Sequence, residues 1–274
     1  MAENEALLAA VLARPYDDEP RLAYAAERAA QRDPRGELIR LQVGLARPFV
    51  QRDVDPDSPA FMAEVERDLR RQEGIVRERE LRESLGPMWA EPVAIRVDDY
   101  GWDRGFVADV TLSASRFLEE AETLFALAPI VHVRLTNVKP VAEMLFTSPR
   151  FAYVRALSMI GEGLTGDDLR PLTRSQTATR LWWLDLGRNR LDYDAVRMLA
   201  ESPLRKLAYV GLTHNPSDPR ETAGVEGLTI VDARLPDEGK RLEAEVGFVP
   251  WLHFPTGSMA DYSPDPLRAP PVRR

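Results

Sequence analysis

Residues 181 to 191 read LWWLDLGRNRL, and no other stretch narrows the fold so far. Leu181, Leu184, Leu186, Asn189 and Leu191 fall on the spacing L-x-x-L-x-L-x-x-N-x-L. Side chains alternate faces along a strand, so Leu184 and Leu186 point into a core while Trp183 and Asp185 point away from it. Leu181 and Leu191 close that core from either side. Asn189 stands where the chain leaves the strand, and its amide can bond backbone groups that the bend leaves unpaired. One such unit cannot bury its own apolar face, so it needs similar neighbours.

The neighbours are present in worn form. Val154, Leu157, Met159 and Leu164 repeat the pattern upstream, with Glu162 in the Asn place. Leu207, Val210, Leu212 and Asn215 repeat it downstream, with Ser217 in the last slot. Ile130, Val133 and Leu135 give a further copy, as do Val107, Val110 and Leu112 with Phe117. Val225, Leu228, Ile230 and Leu235 give a last one. The six units start at Val107, Ile130, Val154, Leu181, Leu207 and Val225, in steps of 23, 24, 27, 26 and 18 residues. The motif at 181–191 matches every fixed position of the leucine-rich repeat and resembles that family. Helical segments between the strands make the units similar to the larger, ribonuclease-inhibitor-like type. The resemblance implies an α/β fold: a short curved leucine-rich-repeat solenoid with a parallel sheet.

The chain has no cysteine, which excludes disulfides and thiolate metal sites and fits a reducing compartment. Its first residues, MAENEALLAAVLARP, do not read as an export signal, and no stretch reaches the roughly 20 apolar residues of a membrane span. A cytoplasmic protein with no membrane partner is expected. The net charge of −8 argues against nucleic acid as partner, because phosphate contacts supply most of that affinity.

Ahead of the repeats the chain reads as helices. Asn4 is placed to cap a first helix with Leu7, Leu8, Val11 and Leu12 on one stripe. A second is expected over 19–32 with Leu22, Ala25, Ala26 and Ala29 inward. Asp33-Pro34 starts a third through Leu38, Leu41, Gln42 and Leu45. The run from Pro15 to Gln42, with Asp17-Asp18, Pro20-Arg21-Leu22, Tyr24-Ala25, Asp33-Pro34-Arg35-Gly36-Glu37 and Ile39-Arg40-Leu41-Gln42, resembles the bacterial repeat-companion domain. That module precedes leucine-rich repeats in bacterial proteins, so the resemblance implies an interaction protein without catalytic residues to carry over. The chain departs from it at Ala26, Glu27 and Arg28, where relatives tend to carry Asp, Trp and Leu.

Four regions follow: a helical domain over 1–48, a loop and long connecting helix over 49–92, the repeats with an N-terminal hairpin cap over 93–246, and a Pro-rich, partly disordered tail over 247–274. The long helix is expected to start at Ser58-Pro59, to be interrupted at Gly74 and to end at Gly86-Pro87. Val93 to Val97 and Gly105 to Leu112 read as the two strands of the hairpin. Trp251, Leu252 and Phe254 are placed to fold back over the open end of the stack.

Chemistry has little to work with. His132, His214 and His253 stand on different units or the tail, with no nucleophile at a recognised motif spacing, so no catalytic residues are assigned. Asp53, Asp55, Asp57 and Glu64 match four places of a calcium loop, but Ser58 stands where its turn wants Gly. Asp17, Asp18 and Glu19 read as favouring a helix N-terminus. No metal and no cofactor are expected. The outward strand positions matter more. One row reads Asp109, His132, Ala156, Trp183, Tyr209 and Gly227; the next reads Thr111, Arg134, Ser158, Asp185, Gly211 and Thr229. Trp, Tyr and Arg dominate binding hot spots, so Trp183, Tyr209, Asp185, His132 and Arg134 are the expected partner-binding set. The competing reading has the tail around Trp251 covering the tryptophans. The expected function is therefore non-enzymatic binding of a protein partner on the concave face, in the role of an inhibitor or immunity protein. The alternative is a scaffold subunit whose repeats mediate assembly.

Overall fold

A computed structural model describes residues 2–49, 52, 54, 55, 57–219, 237–253 and 265–269. The chain divides into two compact units, one of residues 1–96, 100–108 and 125–130, the other of 97–99, 109–124 and 131–274.

The first unit holds α1 (Ala2–Ala13), α2 (Asp18–Ala30), α3 (Arg35–Ala46) and α4 (Pro59–Ala94). Asp18 and Glu19 lie in the first turn of α2, where negative charge suits the helix dipole. Asp33 Oδ1 accepts the Arg35 amide at 2.9 Å and so starts α3. Gly36 lets α2 and α3 touch, because a β-carbon there would lie against the backbone of Ala25 and Ala29. Val11, Tyr24, Ala25, Ile39, Val43 and Phe106 form the core, with Leu7, Leu8 and Leu22 packed on it. The sequence phase of α2 needs correcting: Tyr24 and Arg21 face inward and Ala26 is exposed. α1 starts at Ala2, ahead of the Asn4 position expected to open it.

That core closes over a hairpin tip. β1 (Asp99–Asp103) and β2 (Phe106–Ser113) are joined by Arg104 and Gly105, with φ of 47° and 84°. Two positive φ values match the twist of a tight hairpin, and Gly105 takes the second without penalty. The fully buried Arg21 donates to the carbonyls of Pro15 (2.7 Å), Arg104 (3.1 Å) and Asp103 (3.2 Å). Gln42 Oε1 accepts the Gly105 amide, and Arg104 pairs with Asp18 at 2.9 Å.

The long helix overturns two expectations. α4 is continuous over 36 residues, through Gly74 and past Gly86-Pro87, and contains Pro87 and Pro92. Residues 93 and 94 are its last turn and Val97 precedes β1, so the strand expected at 93–97 is absent and the hairpin starts at Asp99. The reason is packing: Leu81, Ala90 and Val93 are buried, and Gly86 lies against Trp102. Burial outweighs the local cost of the prolines. Ser58 stands at the N-cap in extended conformation, but its hydroxyl does not cap the helix.

In the second unit strands and helices alternate: α5 (Ala114–Leu127), β3 (His132–Thr136), α6 (Ala142–Thr147), β4 (Ala156–Ser158), α7 (Gly166–Thr173), β5 (Trp183–Asp185), α8 (Tyr193–Glu201), β6 (Tyr209–Gly211) and α9 (Asp237–Val246). The sheet runs in sequence order from β1 to β6, and β2 to β6 pair in parallel. The register is the one the spacing predicts, with Val110, Val133, Leu157, Leu184 and Val210 side by side. These five, with Leu112, Leu135, Met159, Leu186 and Leu212, are buried as a continuous core.

The bend that follows β3, β4, β5 and β6 recurs as well. Asn189 Oδ1 accepts the Leu164 amide at 3.0 Å while its Nδ2 donates to Met159 and Leu186 carbonyls at 2.7 and 2.9 Å. Asn215 does the same one unit later, toward the Leu191 amide and the Leu186 and Leu212 carbonyls. Glu162 keeps only the accepting half, taking the Val138 amide at 3.1 Å. The residue before each bend position (Asn137, Gly161, Arg188, His214) has φ between 52° and 73°. The sixth sequence unit, with Gly227 and Thr229, lies outside the described residues, as do Asp53, Phe254 and the chain from 270 on. Trp251 and Leu252 are buried, and their short 3-10 turn (Pro250–His253) packs against the one at Pro203–Lys206.

Candidate functional site

The five residues expected to bind a partner lie together on one face of the sheet. Asp109, His132, Ala156, Trp183 and Tyr209 are neighbours in register, and so are Thr111, Arg134, Ser158, Asp185 and Gly211. Alternation along short strands dictates this, since every second residue between two core leucines must leave the core.

Exposure corrects the expectation. His132, Trp183 and Tyr209 are 3, 4 and 7 % exposed, so the first row is interior rather than an open surface. The side chains bury one another. Ala156 is too small to separate its flanking strands' side chains, and above it His132 meets Trp183 edge-on with ring centres 5.1 Å apart. Trp183 then stacks on Tyr209 at 5.2 Å and 21°. Trp182 is buried too, and Trp251 is fully buried in the short turn Pro250–His253. Along the second row Arg134 is exposed and Asp185 half-buried. Beyond them Ile160, two residues past Ser158, is 47 % exposed. Exposure is uneven in the second row, for Ser158 and Gly211 are buried.

A polar chain flanks the aromatics. Arg134 Nη2 and Nε donate to the Asp109 carboxylate at 2.7 and 3.3 Å. His132 Nδ1 lies 3.4 Å from Asp109 Oδ1, and its Nε2 is 2.8 Å from Ser158 Oγ. Burial works against the charge on Asp109, but the contacts with His132 and Arg134 outweigh it and hold its carboxyl below the usual range. The hydrogen bond to Asp109 chiefly raises the pKa of Arg134, against burial, with help from Asp99 and Asp185. Asp185 Oδ1 accepts the Gly187 amide at 2.8 Å. Gly211 leaves room for that carboxylate, which a β-carbon at 211 would displace.

Sequence reasoning did not find the Asp109–His132–Ser158 chain, because its members come from three strands and no local motif joins them. The signal was the row register: Asp109 precedes His132 in one row, and Ser158 follows Arg134 in the next. With the proton on Nδ1, His132 can accept the Ser158 hydroxyl, as in an activated serine. Two features direct it to structure instead. Ser158 is 4 % exposed, and the amides of Ala156 and Met159 are bonded to Val131 and Asp185 carbonyls, leaving them no role as oxyanion donors.

The acidic candidates are engaged elsewhere. Asp18 pairs with Arg104, Asp55 accepts the Asp57 amide, and Glu64 takes the Arg52 amide and pairs with Arg67. His253 bonds Glu243 at 2.9 Å and stacks on Phe248. A cavity of about 220 Å³ opens among Leu172, Leu181, Leu204 and Leu207, below the usual size of a ligand pocket. No helix of the described residues is long and apolar enough to cross a membrane. No protein-family model, characterised protein or solved structure matches this chain.

Proposed function

We propose that this chain is a bacterial, cytoplasmic, non-enzymatic module that binds a protein partner. In this reading the second unit is a short curved leucine-rich-repeat solenoid of the ribonuclease-inhibitor-like type, and residues 1–48 are a repeat-companion domain. Strands in register at the predicted steps and the recurring Asn-type bend support the repeat.

The binding reading rests on Arg134. Its guanidinium is exposed, yet two hydrogen bonds to a mostly buried Asp109 fix its direction. A pre-oriented arginine loses little freedom on binding, which is what a hot spot requires. Ile160, in the turn that follows β4, supplies exposed apolar area. Trp183, Tyr209 and His132 form a packed row next to that of Arg134 on the same face, and Asp185 stands in the row of Arg134. An inhibitor or immunity protein, clasping an enzyme, fits this arrangement.

The test is affinity capture from the native cell followed by mass spectrometry. A protein retained by the native chain and lost with Arg134→Ala plus Ile160→Asp, while the melting temperature stays within a few degrees, is the expected result. Equal retention by both would sink the assignment of this face.

The scaffold reading has one observation of its own. Met62, Leu69 and Val76 are exposed and seven residues apart on α4, an apolar stripe of the kind that pairs helices. Sedimentation equilibrium decides it: a dimer dispersed by Leu69→Glu favours assembly, and a strict monomer at high concentration removes it.

A further inference from the structure

In the first unit, positive charge is gathered without matching negative charge. The Arg28 guanidinium lies over the Tyr24 ring at 4.8 Å. Arg35 lies over the same ring at 5.9 Å and over Phe106 at 4.8 Å. Arg21 lies over Phe106 as well, at 5.2 Å, so Arg28 and Arg35 share the Tyr24 ring on a platform that holds three cations. The one carboxylate at hand is Asp33, whose Oδ2 is 3.5 Å from Arg28, a long contact, while its Oδ1 is taken by the Arg35 amide. Among the described residues the Arg35 guanidinium has no hydrogen-bond acceptor, and the Nε groups of Arg28 and Arg35 are buried without a partner. Burial lowers the pKa of Arg35 and the like charge of Arg28 adds to that, with Tyr24 and Asp33 opposing without reversing it.

Ring faces attract cations, but they satisfy no N–H donor. A guanidinium fork is shaped for two oxygens of one anion, and such charge-assisted bonds are among the strongest in proteins. One anion between these arginines would supply the missing acceptors and relieve their mutual repulsion. Arg28 keeps a quarter of its side chain exposed, so the position is open to solvent. We propose that Arg28 and Arg35 form an oxyanion-binding site, taking one carboxylate or phosphate group on the Tyr24–Phe106 platform. With Asp33 counted, Arg28 and Arg35 carry one net positive charge, and Arg21 over Phe106 adds a further cation to the platform, so the local balance favours an anion.

The test uses the full chain labelled with nitrogen-15, following arginine Nε–H signals at constant ionic strength. Sodium acetate is titrated in one arm and sodium phosphate in the other, with chloride making up the balance. The expected result is saturable movement of the Arg28 and Arg35 signals, half-complete below about 10 mM in at least one arm. The arm that saturates identifies the group. Arg35→Gln and Arg28→Gln each weaken binding by about tenfold or more, as loss of a charge-assisted pair requires, and Arg188→Ala leaves it unchanged. Should Arg35→Gln fail to fold, the more exposed Arg28→Gln decides. Linear movement without saturation in both arms, or saturation that survives the glutamine variants, overturns the proposal.

Discussion

A primary amide offers both a donor and an acceptor, and Asn189 uses both at once. It is buried, takes the Leu164 amide, and gives its own protons to two carbonyls of different strand ends. Asn189→Ala leaves those groups without partners in a dry interior, a loss of about 1–3 kcal/mol for each unsatisfied group before any relaxation. Asn189→Asp keeps an acceptor for Leu164 but turns an oxygen toward the Met159 and Leu186 carbonyls, so it does not rescue. Both variants should lower the urea midpoint well below that of Glu162→Ala, since Glu162 makes only the accepting bond and is half-exposed. Equal midpoints for Asn189→Ala and Glu162→Ala would mean the amide is not the joint between units. This position was legible in sequence, because its residue type follows from the groups it must satisfy. The burial of His132 and Trp183 was not. It depends on two long side chains meeting above Ala156, and a row read one letter per strand does not show side-chain length acting across a gap.

Among elements, the contact between α2 and α3 is set by one missing methyl group. A β-carbon at Gly36 would meet backbone atoms of Ala25 and Ala29, which cannot swing aside as a side chain can. Gly44, on the same helix, has open space around the corresponding point. Gly36→Ala should therefore cost about 1–3 kcal/mol by forcing the helices apart, while Gly44→Ala should stabilise by about 0.5–1 kcal/mol through helix propensity. Thermal melts of the two variants test this, and a shift in the same direction for both contradicts the packing. The neighbouring residues explain why this stretch reads so distinctly. Asp18, Arg21, Ile39 and Gln42 are spread over two helices, yet all four lie against the Asp103–Gly105 turn. Their partner was hidden from local reading because it lies some 60 to 90 residues downstream. The end of α4 was misread for a related reason. Gly86-Pro87 breaks helices on local grounds, and only the burial of Ala90 and Val93 carries the helix past it.

For the molecule as a whole, acid should matter more than base. Its carboxylates outnumber its basic groups by eight, and the resolved shifts among Asp and Glu are all downward. Glu37, Glu64 and Glu245 sit in exposed or partly exposed pairs, which solvent screens, so they add little. Asp168 bonds the Thr165 amide and hydroxyl at the start of α7, and Asp109 is the more enclosed, beneath Arg134 and beside His132. A carboxyl whose folded pKa lies below its unfolded value of about 3.9 stabilises the fold above that value. The contribution fades as pH falls through the folded pKa, when Asp109 must take a proton and release the guanidinium. Asp109→Asn removes the charge at every pH. The variant should be less stable than the native chain at pH 7, and the difference should shrink steadily between pH 5 and pH 3 because only the native chain has that stabilisation left to lose. Urea unfolding of both proteins at pH 7, 5, 4 and 3 measures it. A gap that stays constant down to pH 3 would place the loss in packing around position 109 rather than in the charge that ties the three strands together.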